Sequence, residues 1–124
     1  MSPPSQVLRR LEWLPLAAIL VIAAFLRLYQ LDAAPPGWTH DEAGHGHDAA
    51  AIAQGARPIY ATVGYGREPL YDYVVAGVMA LTGSAARAVR LVSALCGIAT
   101  LLFTFAWLQK AFDGQTALIA TALQ

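Results

Sequence analysis

Leu91–Leu108 contains no charged residue, and this stretch limits what the chain can become more than any other. As a helix it rises about 27 Å, close to the thickness of the hydrocarbon layer of a bilayer. Trp107 and then Lys110 close it, residue types that settle where hydrocarbon meets water. Leu11–Tyr29 repeats the pattern as a helix of about 28 Å with Trp13 and Tyr29 at its two ends. Leu70–Leu81 is apolar apart from Asp72 and is short for a span, but Glu68–Ala86 reaches far enough to cross. A fourth run begins at Thr116 and continues to Leu123. Only 13% of the residues are charged, against about a quarter in soluble domains. The expectation is an all-α, polytopic transmembrane protein.

Breakers divide the chain. Residues 1–10 are expected as a cytoplasmic tail, 11–31 as a first span, 32–68 as an external loop, 69–86 as a second span and 87–111 as a third. Residues 114–124 are expected as the start of a fourth helix, which suggests the N-terminal part of a longer membrane protein. Ala33-Ala34-Pro35-Pro36-Gly37 must end the first helix. Thr39 or Asp41 can then cap a helix over about 40–54, with Gly55 as its stop. Its many small residues, Ala43, Gly44, Gly46, Ala49 and Ala50 among them, suit close packing against other helices at a membrane surface. Pro69 suits the first turn of the next helix, and Gly83-Ser84 a turn after it. A signal peptide is the plain alternative for the first run, but no small-x-small cleavage site follows it.

Eight basic residues balance eight acidic ones, which argues against nucleic acid as a partner. Arg9 and Arg10 precede the first run, and Arg87 and Arg90 follow the second, while the intervening loop is acidic. The positive-inside rule then puts the N-terminus and the Arg87 turn in the cytoplasm. The Asp41 loop faces the periplasm or exterior, and the protein is multi-pass in a plasma (bacterial inner) membrane. Cys96, the only cysteine, reads as a small packing residue.

The acidic stretch Trp38-Thr39-His40-Asp41-Glu42 is where chemistry is expected. Adjacent carboxylates at a dry interface repel, so at least one pKa should rise and yield a general base near neutral pH. The same residues also suit an N-cap and a first-turn dipole partner, and the two readings are compatible. His40, His45 and His47 lack the i, i+4 spacing of a zinc peptidase and read as solvated loop residues. No metal site is assigned, although a divalent cation on Asp41 is left open. Arg67 is either a partner for a lipid phosphate or half of a surface ion pair with Glu68. Asp72, one turn after Glu68, is a candidate because ionisable groups at membrane depth are costly. Tyr71 and Tyr73 read as interface anchors, and Arg27 as a snorkelling cation.

Phe25-Leu26-Arg27-Leu28-Tyr29-Gln30-Leu31-Asp32, followed after a Pro/Gly link by Trp38-Thr39-His40-Asp41-Glu42, resembles the start of a C-type integral-membrane glycosyltransferase. The nearest group is family 39, with its protein O-mannosyltransferases and the bacterial transferases that attach aminoarabinose to lipid A. Gly66-Arg67-Glu68-Pro69-Leu70-Tyr71-Asp72-Tyr73 and Arg90-Leu91-Val92-Ser93-Ala94-Leu95-Cys96-Gly97 are similar to later stretches of that family. The resemblance implies a polyprenyl-phosphate sugar donor, a lipid, protein or glycan acceptor, and surrounding membrane lipids. It implies Asp41 as the base for the acceptor hydroxyl, Glu42 in support, and Arg67, Glu68, Tyr71, Asp72 and His40 near the substrates. It also implies an active site completed by later spans, so that this stretch alone is expected to be inactive. A competing reading is a transporter or small membrane subunit whose acidic, His-containing loop binds ions.

Overall fold

The computed structural model describes residues 13–62 and 66–124. The expected tail, Arg9, Arg10 and the first residues of the 11–31 segment lie outside them. Among the described residues there are five helices: α1 (Trp13–Leu28), α2 (His40–Ala53), α3 (Leu70–Thr82), α4 (Ala85–Ala111) and α5 (Gly114–Ala122). The only β-pairing among them is an isolated antiparallel bridge, Ala61 with Arg67. The described residues fall into two compact units: one within residues 30–93, and residues 13–29 with Ala94–Gln124. The first turns of α4 belong to the former and the rest of that helix to the latter.

In the unit of residues 30–93, α2 begins at Thr39. The Thr39 hydroxyl accepts from the Glu42 amide, and the Glu42 carboxylate accepts from the Thr39 amide at 2.9 Å. This reciprocal box satisfies two donors that a helix start otherwise leaves unpaired. At the other end Arg57 donates to the Ile52 and Ala56 carbonyls. The small residues of α2 serve packing: the Trp38 ring lies where a Cβ on Gly46 would stand. Ala49 and Ile52 join Val75 and Ala76 of α3 and Ala88, Val89 and Val92 of α4 in one buried cluster. Gly83, at φ +68°, ends α3 in the left-handed conformation that glycine adopts most cheaply.

In the other unit, Leu16, Phe105 and Ala117 form the buried centre, with Leu20, Leu108 and Leu118 packed on it. The Asp113 carboxylate caps α5 by accepting from the Thr116 amide at 2.9 Å. Leu14, Val21, Phe25, Leu26, Phe103 and Trp107 are exposed. That much apolar surface is foreign to a water-soluble monomer and natural against lipid. Cys96, expected in packing, is also exposed.

One helix among the described residues, α4, is long and apolar enough to cross a membrane. α3 is a shorter apolar helix than the expected 69–86 span. Its 13 residues rise about 20 Å, well short of a hydrocarbon layer. Moreover Arg87, expected a membrane thickness away from the acidic loop, grips Asp32 of that loop with Nε at 2.9 Å and Nη2 at 2.7 Å. Arg90 likewise reaches the loop carbonyls of Leu31, Pro35 and Gly37. The turn after α3 therefore lies on the side of the acidic loop. The sequence could not distinguish apolar residues buried by a neighbouring helix from apolar residues buried by lipid.

Candidate active site

The first turns of α2 carry Asp41 and Glu42, and the two carboxylates have opposite surroundings. Asp41 is 97% exposed, and its nearest charged neighbour is the equally exposed His40, 3.8 Å away. Glu42 is enclosed. Its Oε1 accepts from Arg90 Nε at 2.8 Å and its Oε2 from Arg90 Nη2 at 3.3 Å, besides the Thr39 amide. The Arg90 guanidinium, with help from the Thr39 amide, holds the Glu42 carboxyl below its ordinary value of 4.5. Glu42 is therefore not the carboxylate that the expected rise would fall on: a raised pKa requires desolvation or a like charge to dominate, and here an opposite charge does.

The sign has a consequence for acid stability. A carboxyl with a depressed folded pKa adds stability above its unfolded value and loses it as pH falls through the folded one. Glu42 against Arg90 and Asp32 against Arg87 are both depressed, from 4.5 and 3.8. Amide-exchange protection of Gly37–Glu42 should therefore decline as pH falls below the ordinary carboxyl values of 4.5 and 3.8. Glu42→Gln should flatten that decline. Protection that is constant across this range in the unmodified protein would show that the pair does not secure the loop.

Asp41, His45 and Asp48 stand at i, i+4 and i+7, one face of α2. Asp72, in the first turn of α3, is fully buried opposite them. Its Oδ1 lies 2.6 Å from His45 Nδ1, and its Oδ2 lies 3.5 Å from Arg67 Nε. Arg67 Nη2 donates to Asp48 Oδ2 at 2.7 Å. The Ala61–Arg67 bridge fixes the backbone that delivers this guanidinium, with bonds of 2.9 and 3.0 Å. Gly44, without a side chain, leaves room beneath it. The Tyr71 ring meets the His45 ring edge-on, and the Tyr71 hydroxyl donates to the Val89 carbonyl at 3.0 Å.

Several sequence expectations change here. Asp72, singled out as an ionisable group at membrane depth, is sealed between helices. Arg67 was weighed as a phosphate partner or a mate of Glu68, yet it is shared by Asp48 and Asp72, while Glu68 is exposed. Tyr71 and Tyr73 are tied internally, Tyr73 to the Pro58 carbonyl at 3.1 Å. His45, read as solvated, is paired with Asp72, whereas His40 and His47 are exposed. Among the described residues no group of three or more His, Cys, Asp or Glu is gathered to hold a metal ion. The i, i+4, i+7 spacing of Asp41, His45 and Asp48 was the available signal for the shared face. Nothing in the spacing pointed to Asp72 as the partner across it.

Residues 66–124 match the family described as dolichyl-phosphate-mannose-protein mannosyltransferase. The matched stretch takes in Arg67, Asp72 and Arg90 and begins after Asp41. Neither a curated protein nor a solved structure matches the chain.

Proposed function

From a chain whose second half carries the sequence of a mannosyltransferase family, we propose a specific membrane transfer reaction. The family match bears out the resemblance to a family-39-like membrane glycosyltransferase over residues 66–124. In our reading the protein moves a sugar from a polyprenyl-phosphate donor to an acceptor hydroxyl at the outer membrane face. α4 crosses the membrane with its first turns at that face, and α2 and α3 lie there together. The observation that carries this reading is the contrast between the two adjacent carboxylates. Glu42 is committed to Arg90 and the cap, whereas Asp41 faces outward on a helix braced from behind.

Asp41 accepts the proton of the acceptor hydroxyl as its oxygen attacks the anomeric carbon, and the lipid phosphate departs from the opposite side. A carboxylate in the first turn of a helix interacts favourably with the helix dipole. Its exposure leaves it accessible to an incoming hydroxyl. Glu42 and Arg90 hold the first turn of α2 on α4, so that Asp41 projects from a fixed base.

The test uses the full-length protein in membrane vesicles with a polyprenyl-phosphate sugar labelled in the sugar. Label should pass from the lipid to a hydroxyl-bearing acceptor without added nucleotide sugar. Label that stays on the donor across lipid, protein and glycan acceptors would overturn the proposal.

A further inference from the structure

Building on this glycosyltransferase reading, we infer that His45, set by buried Asp72, is the residue that stabilises the departing lipid phosphate. As the bond from the anomeric carbon to the phosphate oxygen breaks, that oxygen keeps the electron pair and gains negative charge. Such charge is stabilised most by a fixed donor or cation already in place. The arginines of the 30–93 unit are engaged elsewhere. Arg67 lies between Asp48 and Asp72, Arg87 on Asp32, Arg57 on helix-end carbonyls, and Arg90 on Glu42 and three loop carbonyls.

His45 is arranged differently. A carboxylate only accepts, so the 2.6 Å contact puts a proton on Nδ1, donated to Asp72 Oδ1. Nε2 is the ring nitrogen that remains, and no described residue bonds to it. The side chain is 25% exposed while Asp72 is 0% exposed, so the histidine connects a buried acid to the surface. The groups facing it are Asp41 and Asp48 on α2, Asp72 and Tyr71 on α3, and Arg67 in the loop. In the buried cluster two carboxylates, Asp48 and Asp72, oppose one guanidinium, and Asp72 Oδ2 has no hydrogen-bond partner. In its protonated form His45 sets a cation beside that excess of carboxylates and carries a second N–H on Nε2. The Tyr71 ring, 4.6 Å away and edge-on, limits rotation of the imidazole.

Asp41 and His45 are one turn apart on the same face, about 6 Å between their Cβ atoms. The hydroxyl proton goes to Asp41, the new C–O bond forms, and the phosphate leaves hydrogen-bonded to His45 Nε2–H. No oxidant, reductant or further reactant is required.

The experiment uses the full-length enzyme labelled with 15N-histidine, with the His45 signals assigned by their absence in His45→Gln. Titration with polyprenyl phosphate should move the Nε2 resonance of His45 and leave Nδ1 in place. Saturating lipid phosphate that moves neither would overturn the inference. In parallel, His45→Gln should lower kcat about 100-fold, the loss typical of one donor to a developing oxyanion. Asp72→Asn should lower kcat and shrink the Nε2 shift that polyprenyl phosphate induces, because the imidazole loses the acceptor that orients it. A histidine with only a packing role would show no such lipid-induced shift. Wild-type kcat in His45→Gln, with transfer intact, defeats this inference alone. Absence of transfer in the unmodified enzyme defeats the glycosyltransferase reading as well.

Discussion

Replacing Asp41 with Asn in the full-length protein should cut sugar transfer by about 10⁴-fold at saturating substrate, the upper range for loss of a general base. The amount of folded protein and its melting temperature should stay as they were. That separation follows from the environment of the side chain, which is 97% exposed and has the equally exposed His40 ring 3.8 Å away. Asn preserves shape and removes the charge, so what remains to be lost is proton acceptance and a weak helix-dipole interaction. KM for the lipid donor should change little, because Asp41 is assigned to the acceptor. Undiminished transfer would take Asp41 out of the chemistry. Joint loss of transfer and folding would mean that its role is structural.

The second large effect is on folding and falls on Arg90. Its side chain is 9% exposed and donates to both Glu42 oxygens and to the carbonyls of Leu31, Pro35 and Gly37. Arg90→Met keeps bulk and removes the guanidinium donors, leaving three loop carbonyls without them and the Glu42 carboxylate with only the Thr39 amide. Breaking a buried ion pair from one side is among the most damaging changes a fold can undergo. The melting temperature in detergent should fall by on the order of 10–20 °C. Arg90→Lys should not rescue it, since one ammonium cannot reach acceptors arranged around a planar fork. Arg87→Met, on an exposed pair with Asp32, should have a far smaller effect that fades with salt. Equal melting of the Arg87 and Arg90 variants would refute the ranking.

Much of the local structure is legible in the sequence because it is decided locally. Thr39 with Glu42 three residues later is a capping box in sequence and in structure. The Pro35-Pro36-Gly37 break and the Gly83 stop act through backbone geometry that neighbours hardly alter. The uncharged run of α4 is apolar enough to cross a membrane on composition and length alone. The site was partly legible: Asp41 and Glu42 were singled out together, but their different surroundings were not foreseen. What separates them is Arg90, 48 residues further on.

The surroundings of α3 were likewise not legible in the sequence. Val75 and Ala76 are buried by Ala49 and Ile52 of α2 and by the first turns of α4. Hydropathy reports how much a segment gains by leaving water and is silent about what takes the water's place. His45 and Asp72, 27 residues apart, carry no mutual signal in their spacing, and only the packing of α2 on α3 brings them within 2.6 Å. The sequence by itself determined the helices, their caps and breaks, and the carboxylates worth testing, since those depend on residues within a few positions of each other. Tertiary structure alone decided which carboxylate is tied to Arg90, which arginines are neutralised, and which histidine is backed by a buried acid. Such pairings depend on the distance and solvation that packing imposes between residues far apart in the chain.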